Sequence, residues 1–219
     1  MKDAPWWGLA ASAAAPVVLV AGWTVAAALQ PHSFDPVTTC VSALAAPASA
    51  DRWVMTLAFA VAGACEIVTG LALRLAAAPG RLLLVAGGAA GLLVAANPDY
   101  PGGSLAHTLS AAAGFAALAI WPALARRRGP RVPWGLRPGT CAAVFVVLLS
   151  LLAWFLVELV AGGGQVGLAE RVMGAAQAGW PLAVTASCRC RRSGGLAAAR
   201  YRRWPTVLVG RLVAHAHAR

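Results

Sequence analysis

Six stretches of mostly apolar residues, each close to the roughly 20 that a helix needs to cross the hydrocarbon core of a bilayer, dominate this sequence. They run approximately over 7–29, 53–75, 80–97, 104–124, 139–161 and 169–188. Lipid offers no partner to backbone N–H and C=O groups, so a single segment crossing it must satisfy them internally, as a helix does. The expected fold is therefore all-α, a polytopic bundle of six transmembrane helices with the bilayer as its principal partner. Composition agrees. The 219 residues are 60% hydrophobic and 11% charged, more apolar side chain than a soluble domain of that size can bury. These figures exclude a water-soluble globule and intrinsic disorder. Five cysteines, scattered and mostly inside apolar runs, do not form a disulfide framework.

The third span is the shortest, because Arg81 limits it, and it is rich in Gly87, Gly88 and Gly91. Small residues there allow neighbouring helices to approach closely, which predicts a packing role. The first span resembles a signal peptide, but Pro31, His32 and Ser33 make a poor cleavage site, and it is expected to be retained. Asp51 and Ser104 are placed to cap the second and fourth spans. Trp6, Trp7, Trp53, Trp121, Trp134 and Trp180 fall at or near span ends, as an aromatic belt requires, with Trp180 the deepest.

The net charge of +11 does not indicate nucleic-acid binding, since the basic residues sit between apolar spans rather than on one soluble face. With six spans, the side bearing both termini carries 16 Lys and Arg residues and the opposite side carries two, Arg52 and Arg171. Without the tail after Cys188 the ratio is still 8 to 2. The arginine-rich side is expected to be cytoplasmic. Only Lys2 is lysine among these 18 residues, and Ala and Gly are abundant, which suggests a GC-rich bacterial gene and hence a bacterial inner membrane. Residues 189–219 read as a basic cytoplasmic tail, either lying on the anionic inner leaflet through charge and Trp204 or extending freely.

Acidic residues show the reverse distribution, with Asp35, Asp51, Asp99 and Glu170 on the outer side. In the first outer loop, Asp35 before Pro36 predicts a short helix carrying Thr38, Thr39, Cys40 and Ser42 on or into the membrane surface. His107 falls in the first turn of the fourth span, where a neutral imidazole can act as base, ligand or hydrogen-bond partner. Arg171 opens the sixth span, an unfavourable place for a cation, and so predicts an anionic partner, Asp35, Asp99 or Glu158, or else an anionic head group or substrate. The candidate outer cluster is Asp35, Ser42, Asp99, His107, Glu170 and Arg171. Glu66 stands apart, well inside the second span, where a carboxylate is expensive. It is expected to be protonated and hydrogen-bonded to Thr69, to Thr56 or to a neighbouring helix, or else to line a proton or solute path.

No paired-Cys zinc spacing, nucleophile elbow, phosphate loop or H-E-x-x-H occurs. His32 and His107 are interfacial and His215 and His217 lie in the tail, an arrangement unsuited to haem between helices. No cofactor or metal is expected. Cys40 is alone on the outer side, so no intrachain disulfide is expected there, and Cys188 and Cys190 read as reduced thiols.

The runs FDPVTTCVSALAAPASADRWVM, SLAHTLSAAAGFAALAIWP and GLAERVMGAAQAGWPLAV, in that order, resemble the bacterial integral membrane proteins catalogued as domain of unknown function 998. The resemblance covers residues 5 to about 188. It implies six helices and a membrane location, and brings no activity or catalytic residue with it. Two departures stand out: Glu66 occupies a place where the family pattern has His, and the basic tail runs past the usual end. Three readings of function follow from the residues. The outer cluster binds a lipid head group or small solute; or His107 activates water or Ser42 against a lipid or envelope precursor, making a membrane hydrolase; or Glu66 serves a proton-coupled transporter. Whether the chain is an enzyme, and its oligomeric state, are not legible in the residues.

Overall fold

A computed structural model describes residues 4–31, 34–100 and 102–202, with side chains as far as residue 189. His32 and the part of the basic tail beyond Arg202 lie outside the described residues. Among the described residues there are six α-helices and no strand: α1 (Trp6–Ala28), α2 (Trp53–Ala72), α3 (Ala78–Ala96), α4 (Leu105–Ala125), α5 (Pro138–Ala161) and α6 (Val166–Arg202). Short 3-10 turns occupy Ser42–Ala45 and Trp134–Leu136. The chain is an all-α, multi-pass membrane protein. Helices α1 to α5 are each long and apolar enough to cross a bilayer. Helix α6 falls short of that apolarity because it buries Glu170, Gln177, Thr185 and Ser187. It also runs for 37 residues, well past the expected end at residue 188.

Successive helices pack on one another and α6 closes the ring against α1. The outside of the ring is apolar, with Val17, Leu57, Leu82, Leu109, Val146 and Val160 all exposed, as lipid contact requires. Helices α2 and α3 meet backbone to backbone: a Cβ on Gly88 would stand 2.5 Å from Gly63 O, and one on Gly63 would stand 2.6 Å from Gly88 O. The glycines of the third span are thus packing residues, as expected.

The end of the bundle that holds the termini, here the proximal end, is filled by a core that includes Leu84, Leu118, Trp121, Leu136 and Val184. Arginines finish it. Arg81 lies inside α3, not before it, and donates from Nε to Gly70 O at 3.0 Å and from Nη2 to Leu71 O at 3.3 Å, satisfying carbonyls that the end of α2 leaves free. Arg127 does the same for Leu75 O and Ala76 O, and Arg189 for Ala4 O.

At the opposite, distal end the punctuation is partly as expected. Ser104 Oγ accepts from His107 N at 3.3 Å and caps α4. Gly162, at φ 64°, ends α5 in the left-handed conformation that glycine adopts without penalty. Asp51 does not cap α2; its Oδ1 accepts from the Trp53 indole at 3.1 Å while its own φ is 47°. Asp35 starts a single turn rather than a helix, accepting from Val37 N at 2.8 Å and Thr38 Oγ1 at 3.1 Å, and the short helical turn comes later, at Ser42–Ala45. Trp6, Trp7, Trp53 and Trp134 are exposed, as a belt requires. Trp121 is not; it is fully buried, and Trp180 packs edge-on against Trp134 with ring centroids 6.0 Å apart.

Candidate functional site

Inside the ring lies a cavity of about 100 Å³ lined from α1, α2, α3, α4, α6 and the Ser42 turn. That is room for a few water molecules at about 30 Å³ each. Most of its wall is apolar, and glycines at positions 63, 87, 91, 114 and 174 create the space. Its polar residues are Ser42, Glu66, His107, Ser110, Glu170 and Gln177, and among the described residues neither Lys nor Arg lines it.

Helical rise gives these groups their depths. Glu66 is thirteen residues into α2, about 20 Å from the distal end, and Gln177 is eleven residues into α6, about 16 Å. His107 and Glu170 lie within about 6 Å of the distal ends of α4 and α6. Two polar levels therefore face one cavity. Below them the proximal core, with Leu118, Trp121 and Val184 all buried, closes the bundle.

The hydrogen bonding of these groups is one-sided. Gln177 donates from Nε2 to Phe115 O at 3.1 Å, which fixes the amide orientation, since a carbonyl only accepts. Among the described residues its Oε1 is buried without a partner. An orphaned buried acceptor costs about 1–3 kcal/mol. His107 Nδ1 lies 2.9 Å from Asn97 O, so Nδ1 carries the proton. Glu66 is 6% exposed, and among the described residues its carboxylate has no hydrogen-bond partner. The threonines expected to serve it are committed within their own helix: Thr56 Oγ1 donates to Arg52 O and Thr69 Oγ1 to Cys65 O, each one turn back.

Glu170 and Arg171, adjacent on α6, divide their labour. Glu170 is buried, and its Oε2 accepts from Val41 N at 2.5 Å. The Cys40 thiol stands beside the same carboxylate. Burial, reinforced by the Glu170 charge, pushes the Cys40 thiol up to about 12. Arg171 turns the other way. Its Nη1 donates to Pro36 O at 2.6 Å and to Thr39 O and Gly167 O at 2.9 Å, and its guanidinium lies 5.9 Å from the Phe34 ring centroid. Leu168 N adds a bond to Val37 O at 3.0 Å. Gly167 permits the approach, for a Cβ there would run into Thr39 O and Pro36 O. Where an anionic partner was expected, Nη1 of Arg171 thus meets backbone carbonyls, while among the described residues its Nη2 is buried without a hydrogen-bond partner. The pair straps segment 35–41 across the head of α6.

Of the residues named from sequence, Ser42, His107 and Glu170 line the cavity, and Glu66 joins them from below. Asp35 is exposed on the strap, Asp99 lies in the turn after α3, and Arg171 holds the strap. Gln177 and Ser110 complete the polar lining and were not anticipated. The available signal for Gln177 was an uncharged amide in the middle of an apolar stretch, which hydropathy alone treats as filler.

Compared with curated proteins and with solved structures, the chain finds no match. A family model does match, over residues 13–187, reaching from within α1 to the buried part of α6. It takes in every residue that lines the cavity. The chain belongs to the family described as Protein of unknown function (DUF998).

Proposed function

We propose that this protein binds a small solute in the cavity between its helices, with Glu66 as the polar anchor. The observation that carries this reading is a buried, unpartnered carboxylate facing a cavity that also holds an unpartnered amide oxygen. Intramembrane ionisable groups are costly and are retained where they meet a ligand, an ion or a path. The tight proximal core favours a binding pocket over an open pore.

Two other readings use the same groups. A proton-coupled transporter would add an opening past the proximal core to the same Glu66 site. A hydrolase would pair Ser42 with His107, and among the described residues no hydrogen bond joins them. A lipid head group held by Arg171 has less support, because its Nη1 is bonded to the strap carbonyls and its Nη2, though without a hydrogen-bond partner among the described residues, is buried away from the surface. The arginine asymmetry supports a cytoplasmic placement of both termini in a bacterial inner membrane, with α6 as the sixth crossing. Reporter fusions at the Asp99 turn and in the Arg126–Arg131 segment test this: activity on the cytoplasmic side at Asp99 refutes the orientation.

For the binding reading, the assay is thermal unfolding of the full chain in lipid nanodiscs with propylammonium, propanol or propionate. Stabilisation by at least one of them, lost in Gly174→Leu, which places side chain in the cavity, is the expected result. If none of the three stabilises the wild type, or Gly174→Leu responds equally, the reading fails.

A further inference from the structure

The polar groups of the cavity share a chemical property that neither the family nor the sequence assigns. The donor ends of the amide and the imidazole are consumed by backbone carbonyls: Gln177 Nε2 by Phe115 O and His107 Nδ1 by Asn97 O. Apart from the Ser42 hydroxyl at the distal end, what remains is acceptor. Among the described residues Gln177 keeps a free Oε1, His107 Nε2 has no hydrogen-bond partner, and Glu66 keeps both carboxyl oxygens. Glu170 adds a second carboxylate whose Oε2 is bonded to Val41 N. Among the described residues no Lys or Arg lines the space, and the neighbouring Arg171 directs its Nη1 at the strap carbonyls. A site made of acceptors and acidic groups is complementary to a ligand made of donors and positive charge. The volume of about 100 Å³ and the largely apolar wall limit that ligand to a few heavy atoms with a short hydrocarbon part.

We propose that the solute is a compact protonated primary amine, its N–H groups directed to the Glu66 carboxylate and the Gln177 carbonyl oxygen. This rests on the binding reading above and names its substrate class. Water alone would supply donors but no counter-charge for Glu66 in a low-dielectric setting, whereas an ammonium supplies both.

The test uses the full chain in nanodiscs at neutral pH with four probes: propylammonium, tetramethylammonium, propanol and propionate. Propylammonium should raise the unfolding temperature in a saturable way, and tetramethylammonium, which has the charge but no N–H, should not. Glu66→Gln keeps an acceptor but removes the charge, and should raise the concentration for half-maximal effect about tenfold or more, as expected for loss of a charge-assisted bond. Should that variant fail to accumulate, Gln177→Met, which removes the amide oxygen at similar length, should weaken the response in the same direction. Equal stabilisation by tetramethylammonium or by propanol would overturn the proposal, because donors or charge would then not be read. Stabilisation by propanol or propionate without propylammonium would overturn the amine while leaving cavity binding standing. Silence from all four would remove both.

Discussion

Alanine at Gly88 and alanine at Gly91 should behave differently, although both residues belong to the same glycine-rich stretch of α3. A Cβ on Gly88 would stand 2.5 Å from Gly63 O and 2.9 Å from Ile67 N, both backbone atoms of α2. A Cβ on Gly91 would stand no closer than 3.4 Å, from Gly63 Cα, which is ordinary contact. To reach that same separation at Gly88 the helices must part by about 0.9 Å. Backbone cannot turn aside as a side chain can, so the strain falls on the packing of α2 against α3, at about 1–3 kcal/mol for overpacking. Replacing Gly with Ala within a helix also contributes up to about 1 kcal/mol of propensity, but that gain is common to both variants and cancels in their comparison. The difference left between them is about 1–3 kcal/mol, or roughly 2–12 °C for a chain of this size. Parallel melts in nanodiscs at one scan rate measure it. If Gly88→Ala melts with Gly91→Ala, or above it, the backbone-to-backbone approach is wrong.

Arg171→Leu should free the strap: its two bonds to strap carbonyls vanish, and amide exchange over residues 35–41 should rise about tenfold or more while α2 and α3 keep their protection. Unchanged exchange there would show that Arg171 does not hold the segment. Glu170→Gln retains an acceptor for Val41 N, whereas Glu170→Leu leaves that buried N–H unsatisfied and should cost about 1–3 kcal/mol more in a melt. Equal melting of the two variants would contradict the bond. Cys40, held up at about 12, should stay a thiol and react slowly with maleimide at pH 8 until the protein is unfolded. The folded state keeps that proton where the unfolded chain, near 9, releases it. Stability from Cys40 is therefore whole below about pH 9 and declines as pH rises towards 12, a decline that Cys40→Ser should lack.

Much of the fold is written in hydropathy, because a lipid-crossing segment has few structural choices. Helices α1 to α5 follow the apolar stretches to within a few residues, since water-exposed turns rich in Pro, Gly and Arg interrupt them. Helix α6 is harder to read. Its inward face carries Glu170, Gln177, Thr185 and Ser187, so its average conceals a split between polar interior and apolar exterior. Trp121 misled for a related reason. Its place near the end of α4 suggested the interface, but the core formed with Leu84, Leu136 and Val184 reaches down to that level. Position along a helix gives depth and leaves facing undetermined.

The same distinction explains what happened to the candidate site. Charge arithmetic grouped Asp35, Asp99, Glu170 and Arg171 by the side of the bilayer they share, and a side is a two-dimensional property. Adjacent residues on a helix point about 100° apart, so Glu170 can line the cavity while Arg171 reaches out to Thr39 O and Pro36 O. Glu66, set aside for its different depth, shares the cavity because α2 turns it inward at the level where α6 presents Gln177. What selects the polar interior is therefore helix facing combined with the small residues at 63, 87, 91, 114 and 174 that leave room for it. Two of these, Gly63 and Gly88's neighbour Gly87, also stand where α3 meets its flanking helices, Gly63 against Gly88 and Gly87 against Leu118. The close contacts that hold α2, α3 and α4 together, backbone at Gly63 and Gly88 and side chain at Leu118, thus set the width of the cavity, and a substitution that parts those helices should alter the proposed amine binding before it touches any polar group in the lining.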